Sequence, residues 1–425
     1  MPTPGTARRE PSNAAGSTWA GSYSYAAERL VEPASIDELA EVVATTNRVR
    51  ALGSRHSFTD VADTTGTLVG LDRLPTSIEV DARRSVVRVT GGVRYGELAA
   101  GLEAQGWALA NLASLPHISV AGAVATGTHG SGVRNASLAA AVRALEVVRP
   151  DGTVHRLGPD DPDLAGSVVA LGALGIVMGL ELAVEPTYLV RTEVRTGLTW
   201  EVVEEQLDAV LSCGYSVSLF TRFDALEVDQ LWVKSRADEP PLEEVWSTTA
   251  AVEPLHMLVG APTEALTEQG GVPGAWLHRL PHFRLEFTPS RGAELQSEYF
   301  VPRGRAVEAL TALRAVAPAF TQLLQVCEVR AVAGDTMWLS GAEGGDALAL
   351  HFTWDLDVPA VRAVLPRVEE ALAPFGVRPH WGKVFTMEGA TVRDAFPRMA
   401  DFVALRDRVD PDRRFDNAFL QRLLA

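Results

Sequence analysis

Four short, mostly apolar stretches carry charged or hydroxylic residues in positions suited to chemistry. In VCEVRAV, Glu328 and Arg330 stand two apart; in LALHFTW, His351 and Thr353 do the same; ELQSEYF adds Gln296 and Glu298, and HWGKVF adds Lys383. Residues i and i+2 of an extended chain share a face, so each such strand presents a polar row. For one pair alone, the solvated face of an amphipathic strand is the ordinary explanation. Several pairs suit a sheet turned towards a ligand with several hydroxyls, because each buried hydroxyl left unpaired costs about 1–3 kcal/mol. Lysine usage sharpens the pattern. The only lysines are Lys234 and Lys383, all other cationic side chains being arginine. A lysine buried beside another cation can give up its proton, whereas arginine effectively cannot. Lys383 is therefore the candidate for proton transfer, and Lys234 is read as incidental.

A second constellation lies nearer the N-terminus. LGSRHSFTD, residues 52–60, follows a strand-like segment. Gly53 lets the backbone turn sharply, and Ser54 and Ser57 place hydroxyls among amides free to bind an anion. His56 sits in that loop. Residues 111–137 bring together Ser119, Gly122, Ala125, Thr126, Gly127, Thr128, Gly130 and Gly132, and GALGI follows at 172–176. Such small residues let backbone approach a ligand closely. Each run alone is more simply a tight turn, but three within one domain point to a bound phosphate ligand. Neither a Walker A loop nor a strand-borne G-x-G-x-x-G is present, so the usual nucleotide folds are unsupported.

The elements that must hold these residues divide into two α+β domains. SIDELAEVVATTN reads as a helix capped by Ser35, SIEVDARRSVVRVTGG as a hairpin and RYGELAAGLEAQG as a helix ending at Gly106. Near residue 190 the texture changes: YLVRTEVRTGLTW leads into the longer strands RLEFTPS, LQSEYFVP, VCEVRAVA and ALALHFTWDLD, separated by helices such as GRAVEALTALRAVA. DPDRRFDNAFLQRLLA predicts a short helix returning to the first domain. The stretch SVVALGALGIVMGLELAV approaches membrane-spanning length, but its glycines and Glu181 predict a helix end, a turn and a strand. Its 425 residues, 47% hydrophobic, suffice for two substantial cores, and a net charge of -16 without a basic block argues against nucleic-acid binding. Two distant cysteines, Cys213 and Cys327, suggest a reducing compartment. The N-terminal segment is rich in small residues, is expected to be disordered and lacks the apolar core of a secretory signal. A cytoplasmic protein without membrane contact is expected.

The motifs LGSRHSF, ASLPHISVAGAVATGTHGSG, LGALGIV, ELQSEYF, CEVR, HFTW, RPHWGKVF and FDNAFL, taken together and in this order, resemble the alditol oxidases, which belong to the vanillyl-alcohol-oxidase group of flavoproteins. The resemblance runs from about Trp19 to the C-terminus and extends more weakly to sugar-lactone oxidases. It implies an α+β, two-domain FAD-binding fold of the vanillyl-alcohol-oxidase (PCMH) type, with an α+β substrate (cap) domain on a mixed or antiparallel sheet. The implied division is a disordered tail over 1–18, an FAD-binding domain over 19–190, a substrate-binding domain over 191–400 and a C-terminal segment over 401–425 that returns to the FAD domain.

The resemblance further implies that FAD is linked covalently to the His56 ring, which fixes the flavin and makes it a stronger hydride acceptor. The flavin would rest on Arg50, Ala51, Leu52, Gly53, Ser54, Arg55 and Ser57, on Ser114, Ser119, Gly122, Ala123, Val124, Ala125, Thr126, Gly127 and His129, and on Gly172, Gly175 and Ile176. Arg55 stands where the family pattern carries glycine, and no cysteine near Thr128 or His129 offers a second link. Lys383 and Arg330 take the catalytic positions. Ser114, Glu328, His351, Thr353 and Gln296 bind substrate with them, and Ala113 lies where oxygen must arrive. The expected reaction oxidises the terminal hydroxyl of a polyol such as xylitol, sorbitol or glycerol to the aldose, reducing O2 to H2O2, in a monomer. The alternatives are a sugar-1,4-lactone oxidase or dehydrogenase of the same fold and a non-enzymatic sugar-binding protein.

Overall fold

The computed structural model describes residues 15–240, 242, 245–287 and 294–424. Near the N-terminus, Arg29–Val31, Thr67–Gly70 and Val49–Leu52 pair in parallel, with Thr67–Gly70 central. The helix Ile36–Thr45 begins where the cap predicts: Ser35 Oγ accepts the Glu38 amide at 3.1 Å, and Leu39 and Val43, one turn apart, are its buried residues. A five-stranded antiparallel sheet follows, in the order Ile78–Asp81, Val86–Thr90, Ile176–Ala183, Val142–Val148, Val154–Leu157. Its first two strands are the predicted hairpin, with Ile78 opposite Val89. The long apolar stretch divides into a helix Leu164–Val168, a turn and the strand Ile176–Ala183. Among the described residues no helix is long and apolar enough to cross a membrane.

The second domain is built on a nine-stranded antiparallel sheet. Its middle runs Leu189–Thr196, Gln230–Arg236, Ser216–Thr221, Leu324–Val332, Ala347–Asp355, Glu294–Pro302. Alternation sorts the side chains. Leu219, Tyr299, Cys327, Val329, Phe352 and Trp354 share one apolar core with residues of the helices Trp200–Ser212, Ala306–Val316 and Val358–Leu372. The intervening residues form the other face. There the register sets Glu298 and Glu328 on either side of His351, and Gln296 opposite Thr353.

Three expectations need correction. Arg284–Phe287 of RLEFTPS form a turn rather than a strand: the Arg284 amide bonds Ala265 O and the Phe287 amide closes back on Arg284 O. The rest of that motif lies outside the described residues. The chain also rejoins the first domain earlier than residue 401. Val392 and Phe396 of the helix Gly389–Ala395 already belong to its core, and the helix Ala418–Leu424 adds Phe419, Leu420 and Leu423. Of the tail expected over 1–18, residues 1–14 lie outside the described set, while Ala15 and Thr18 are buried.

Candidate active site

The loop after Val49–Leu52 passes over the helix Val120–Ala125. Two serines tie them together: the Ser119 amide donates to Ser54 Oγ at 3.0 Å, and the Ser54 amide to Ser119 Oγ at 3.4 Å. A Cβ on Gly53 or on Gly122 would fall 2.6 Å from the Ser119 hydroxyl. Glycine at both positions lets the loop and the helix close on the Ser119 hydroxyl, and both residues line the cleft. Arg55 adopts a left-handed φ of 64°, a conformation costing an ordinary residue about 1–2 kcal/mol. Its carbonyl is held by the Trp19 amide at 2.8 Å and its guanidinium lies 5.5 Å from the Tyr25 ring. The turn brings His56 under the Trp19 ring, with centroids 5.4 Å apart and stacked. His56 Nδ1 is buried and has no hydrogen-bond partner. Burial, with the nearby His117, Arg94 and Lys383 charges adding and a Ser54 backbone bond opposing, lowers the ring to about 4, so the imidazole is neutral with a nitrogen unused. These features fit a flavin dinucleotide lying along the loop.

The polar face of the second sheet closes the same cleft. Glu328 is its hub. Oε1 lies 2.8 Å from His282 Nε2; Oε2 lies 3.6 Å from Arg330 Nη1 and 3.7 Å from His351 Nδ1. Arg330 Nη2 donates to Glu298 Oε1 at 2.6 Å, and His129 Nε2 meets that oxygen at 3.0 Å. Lys383 bonds Gln296 Oε1 and lies 3.4 Å from His351 Nε2. Burial opposes ionisation of both carboxylates, yet the facing charges prevail. The Arg330 charge and the hydrogen bond from His282 hold Glu328, and His129 and Arg330 hold Glu298, well below the ordinary carboxylate range. Burial lowers Lys383, with Glu298 opposing and Arg330 adding to the shift. It also lowers His351 to about 4, with Lys383 adding. The neutral His351 ring sets Nε2 against Lys383 and Nδ1 between Arg330 Nη2, at 3.5 Å, and Glu328 Oε2, at 3.7 Å. The arrangement can hold hydroxyls by paired donors and acceptors and can take a proton from one of them.

All seven residues read as catalytic or substrate-binding, Ser114, Gln296, Glu328, Arg330, His351, Thr353 and Lys383, line this one cleft, as does Ala113. So do Arg50, Ala51, Leu52, Gly53, Ser54, Arg55, His56, Ser57, Ser119, Gly122, Ala123, Ala125, Thr126, His129, Gly172 and Gly175. Three do not. Val124 and Ile176 point into hydrophobic cores, and Gly127 serves a turn at φ 69°. Arg50 is occupied by the protein itself, donating to carbonyls of Val61, Leu171, Gly172 and Phe415. His129 bonds Glu298, on the substrate side of the cleft. Glu298, on the polar row of ELQSEYF but given no catalytic or substrate role there, lines the cleft as well, and so do His282, Trp19 and the glycine pair Gly91 and Gly92, which sequence reasoning missed. The VTGGV run signalled the glycines. Nothing signalled His282, which comes from an irregular loop. Lys234, read as incidental, is 1% exposed and lies 3.0 Å from His282 Nδ1.

A cleft lined on one wall by the His56 loop with Gly53, Ser119 and Gly122 and on the other by a charge-balanced polar sheet, between two α+β domains, fits an FAD-dependent oxidoreductase. A family model described as an FAD binding domain matches residues 27–158, and one described as D-arabinono-1,4-lactone oxidase matches residues 290–423. The alditol oxidase of Streptomyces sp. (strain IKD472 / FERM P-14339) is 49% identical over 409 residues, 96% of this chain and 98% of that protein. The L-gulono-1,4-lactone dehydrogenase of Mycobacterium tuberculosis is 31% identical, covering 96% of this chain and 99% of its own. The L-gulonolactone oxidase of Bos taurus is 25% identical over 95% and 97% of the two chains. The crystal structure of cholesterol oxidase from B. sterolicum shares the fold, with a TM-score of 0.76 at 13% identity and 100% coverage of both chains. The chain belongs to the alditol oxidase family of vanillyl-alcohol-oxidase-type flavoproteins.

Proposed function

We propose that this protein oxidises the terminal CH2OH of linear polyols such as xylitol, sorbitol or glycerol to the aldehyde of an aldose, with O2 reduced to H2O2. The observation carrying this reading is the convergence of Glu328, Arg330, His351, Thr353, Gln296 and Lys383 on the cleft that also holds the His56 loop. When bound, FAD supplies the two-electron acceptor, which oxygen can regenerate. Lys383 and Arg330 polarise the reacting hydroxyl, and Lys383, with its proton loosened by burial and by Arg330, accepts the hydroxyl proton. Arg330 Nε is buried without a partner and is a spare donor for the substrate oxygen. Glu328, His351, Thr353, Ser114 and Gln296 bind the remaining hydroxyls, and Ala113 leaves room for oxygen beside them.

Xylitol and a galactonolactone compared in air, with peroxide as the readout, test the substrate class. Xylitol should be turned over and the lactone scarcely at all, because a lactone ring lacks the linear row of hydroxyls this face pairs. Faster lactone turnover would move the assignment to a sugar-lactone oxidase, and reduction of an added dye without peroxide would make the protein a dehydrogenase.

The neutral, unpartnered Nδ1 of His56 supports a covalent histidyl link to the flavin. Acid precipitation should give a yellow pellet that fluoresces on a denaturing gel, whereas a yellow supernatant from folded protein would refute the link. His56→Ala should still bind FAD, loosely, through the Gly53, Ser54 and Ser119 wall.

A further inference from the structure

Both lysines of the chain stand behind a histidine of the same carboxylate. On one side Lys383 meets His351, which faces Glu328 Oε2; on the other Lys234 meets His282, which faces Glu328 Oε1. Lys234 lies on the strand Gln230–Arg236, opposite Thr192 and Ser216 in its two neighbours, neither of which carries charge. Its ammonium lies 2.5 Å from Leu280 O, 3.3 Å from Pro281 O and 3.0 Å from His282 Nδ1. An ammonium has three donors and no acceptor. Two carbonyls take two of its protons, and the third faces Nδ1, which must accept. The single proton of the neutral ring then sits on Nε2, 2.8 Å from Glu328 Oε1. His282 is neutral because burial lowers it to about 4, the Lys234 charge adding to the shift.

We propose that Lys234 is a positioning residue for polyol binding: it locks His282 in the Nε2–H tautomer, and His282 in that form holds Glu328 in place for the substrate hydroxyls. This rests on the reading of Glu328 as a polyol ligand. Without the ammonium the other tautomer becomes available, and it sets a nitrogen lone pair against the carboxylate. Glu328 then loses its shortest hydrogen bond. The charged groups facing Lys234 are Glu328, which favours its ammonium form, and Arg330, which disfavours it, with His282 in direct contact. With burial leading, they bring Lys234 to about 7. The lock is therefore complete below that pH and lost as pH rises through it, since the neutral amine can accept a proton from Nδ1.

The test is a double-mutant cycle on the flavin-loaded protein. A glutamine at position 282 can turn its own amide to donate to Glu328 and needs no tautomer lock. Lys234→Met should raise the KM for xylitol about tenfold with kcat changed less than about threefold. In the His282→Gln background the same change should alter KM less than about twofold. Equal effects in the two backgrounds, or an unchanged KM in Lys234→Met, would overturn the proposal. If Lys234→Met does not fold, the pH series decides: KM of the unmodified protein should rise above pH 7 and that rise should be absent in His282→Gln, and identical profiles would be the contrary result. Glu328→Gln separates the two layers. An unchanged KM there removes the polyol-ligand reading itself, whereas a raised KM without coupling between positions 234 and 282 removes only the lock.

Discussion

Lys383→Met should retain bound flavin but lose flavin reduction by xylitol by a factor of about 10² to 10⁴, the usual contribution of a positioned proton-transfer group. The ammonium is held by Gln296 Oε1 and by His351 Nε2 at 3.4 Å, on the substrate side of the cleft, and meets the His56 loop only through the Phe58 ring at 5.6 Å. Methionine keeps the length and packing of the side chain and removes its proton chemistry. Lys383→Arg is the sharper comparison, since it preserves charge but cannot readily release a proton. If fixed charge is what counts, arginine restores much of the rate; if proton transfer counts, both variants are slow. Anaerobic stopped-flow reduction separates this half-reaction from oxygen chemistry. Near-normal reduction in both would remove Lys383 from the mechanism and leave Arg330 as the principal group on the hydroxyl.

The substrate wall was largely readable because strand periodicity is a geometric rule. Glu328 with Arg330, and His351 with Thr353, had to share a face in any extended chain, and antiparallel register then stacked them. What periodicity cannot say is whether a polar face meets water or a second domain. Glu298 belongs to the row by periodicity, but its role is hidden for that reason: a carboxylate on a strand reads as solvated until Arg330 and His129 are seen to surround it. Lys234 follows the same logic. It continues the row of Gln230 and Trp232, but its meaning depends on His282, brought 48 residues along the chain by an irregular loop. Loop partners leave no period to read. The glycine-rich segments were legible as a set yet not residue by residue. Gly53 and Gly122 let the loop and the helix close on Ser119 at the edge of the cleft, while Gly127 only turns the chain, a distinction made by what lies opposite each one. The early return of the chain to the first domain was likewise hidden, since Val392 and Phe396 suit either core equally well in an amphipathic helix.

Arg330→Met should be the most destabilising change on the polar face. Arg330 is 4% exposed and is shared between Glu298, at 2.6 Å, and Glu328, at 3.6 Å. Removing one partner of a buried ion pair typically costs about 3–5 kcal/mol, because the remaining charge has lost both water and its counter-ion. For a unit of this size that lowers the thermal midpoint by roughly 6–20 °C. The pH dependence distinguishes lost charge from lost packing. In the native protein both carboxylates are held well below the ordinary range. Their contribution to stability is therefore present above the unfolded carboxylate value, about 4.3, and is lost only as pH falls through the lower folded values. In Arg330→Met burial acts with less opposition and raises both carboxylates, so the deficit should be largest near pH 7 and shrink towards pH 4, where protonation relieves the unpaired charge. Thermal midpoints of the two proteins across that range measure the difference. Adding Glu298→Gln should recover part of the loss at neutral pH, since one of the stranded charges is then gone. A deficit constant with pH and unaffected by Glu298→Gln would mean that Arg330 serves by packing alone, and the charge-balanced account of the polar face would have to be given up.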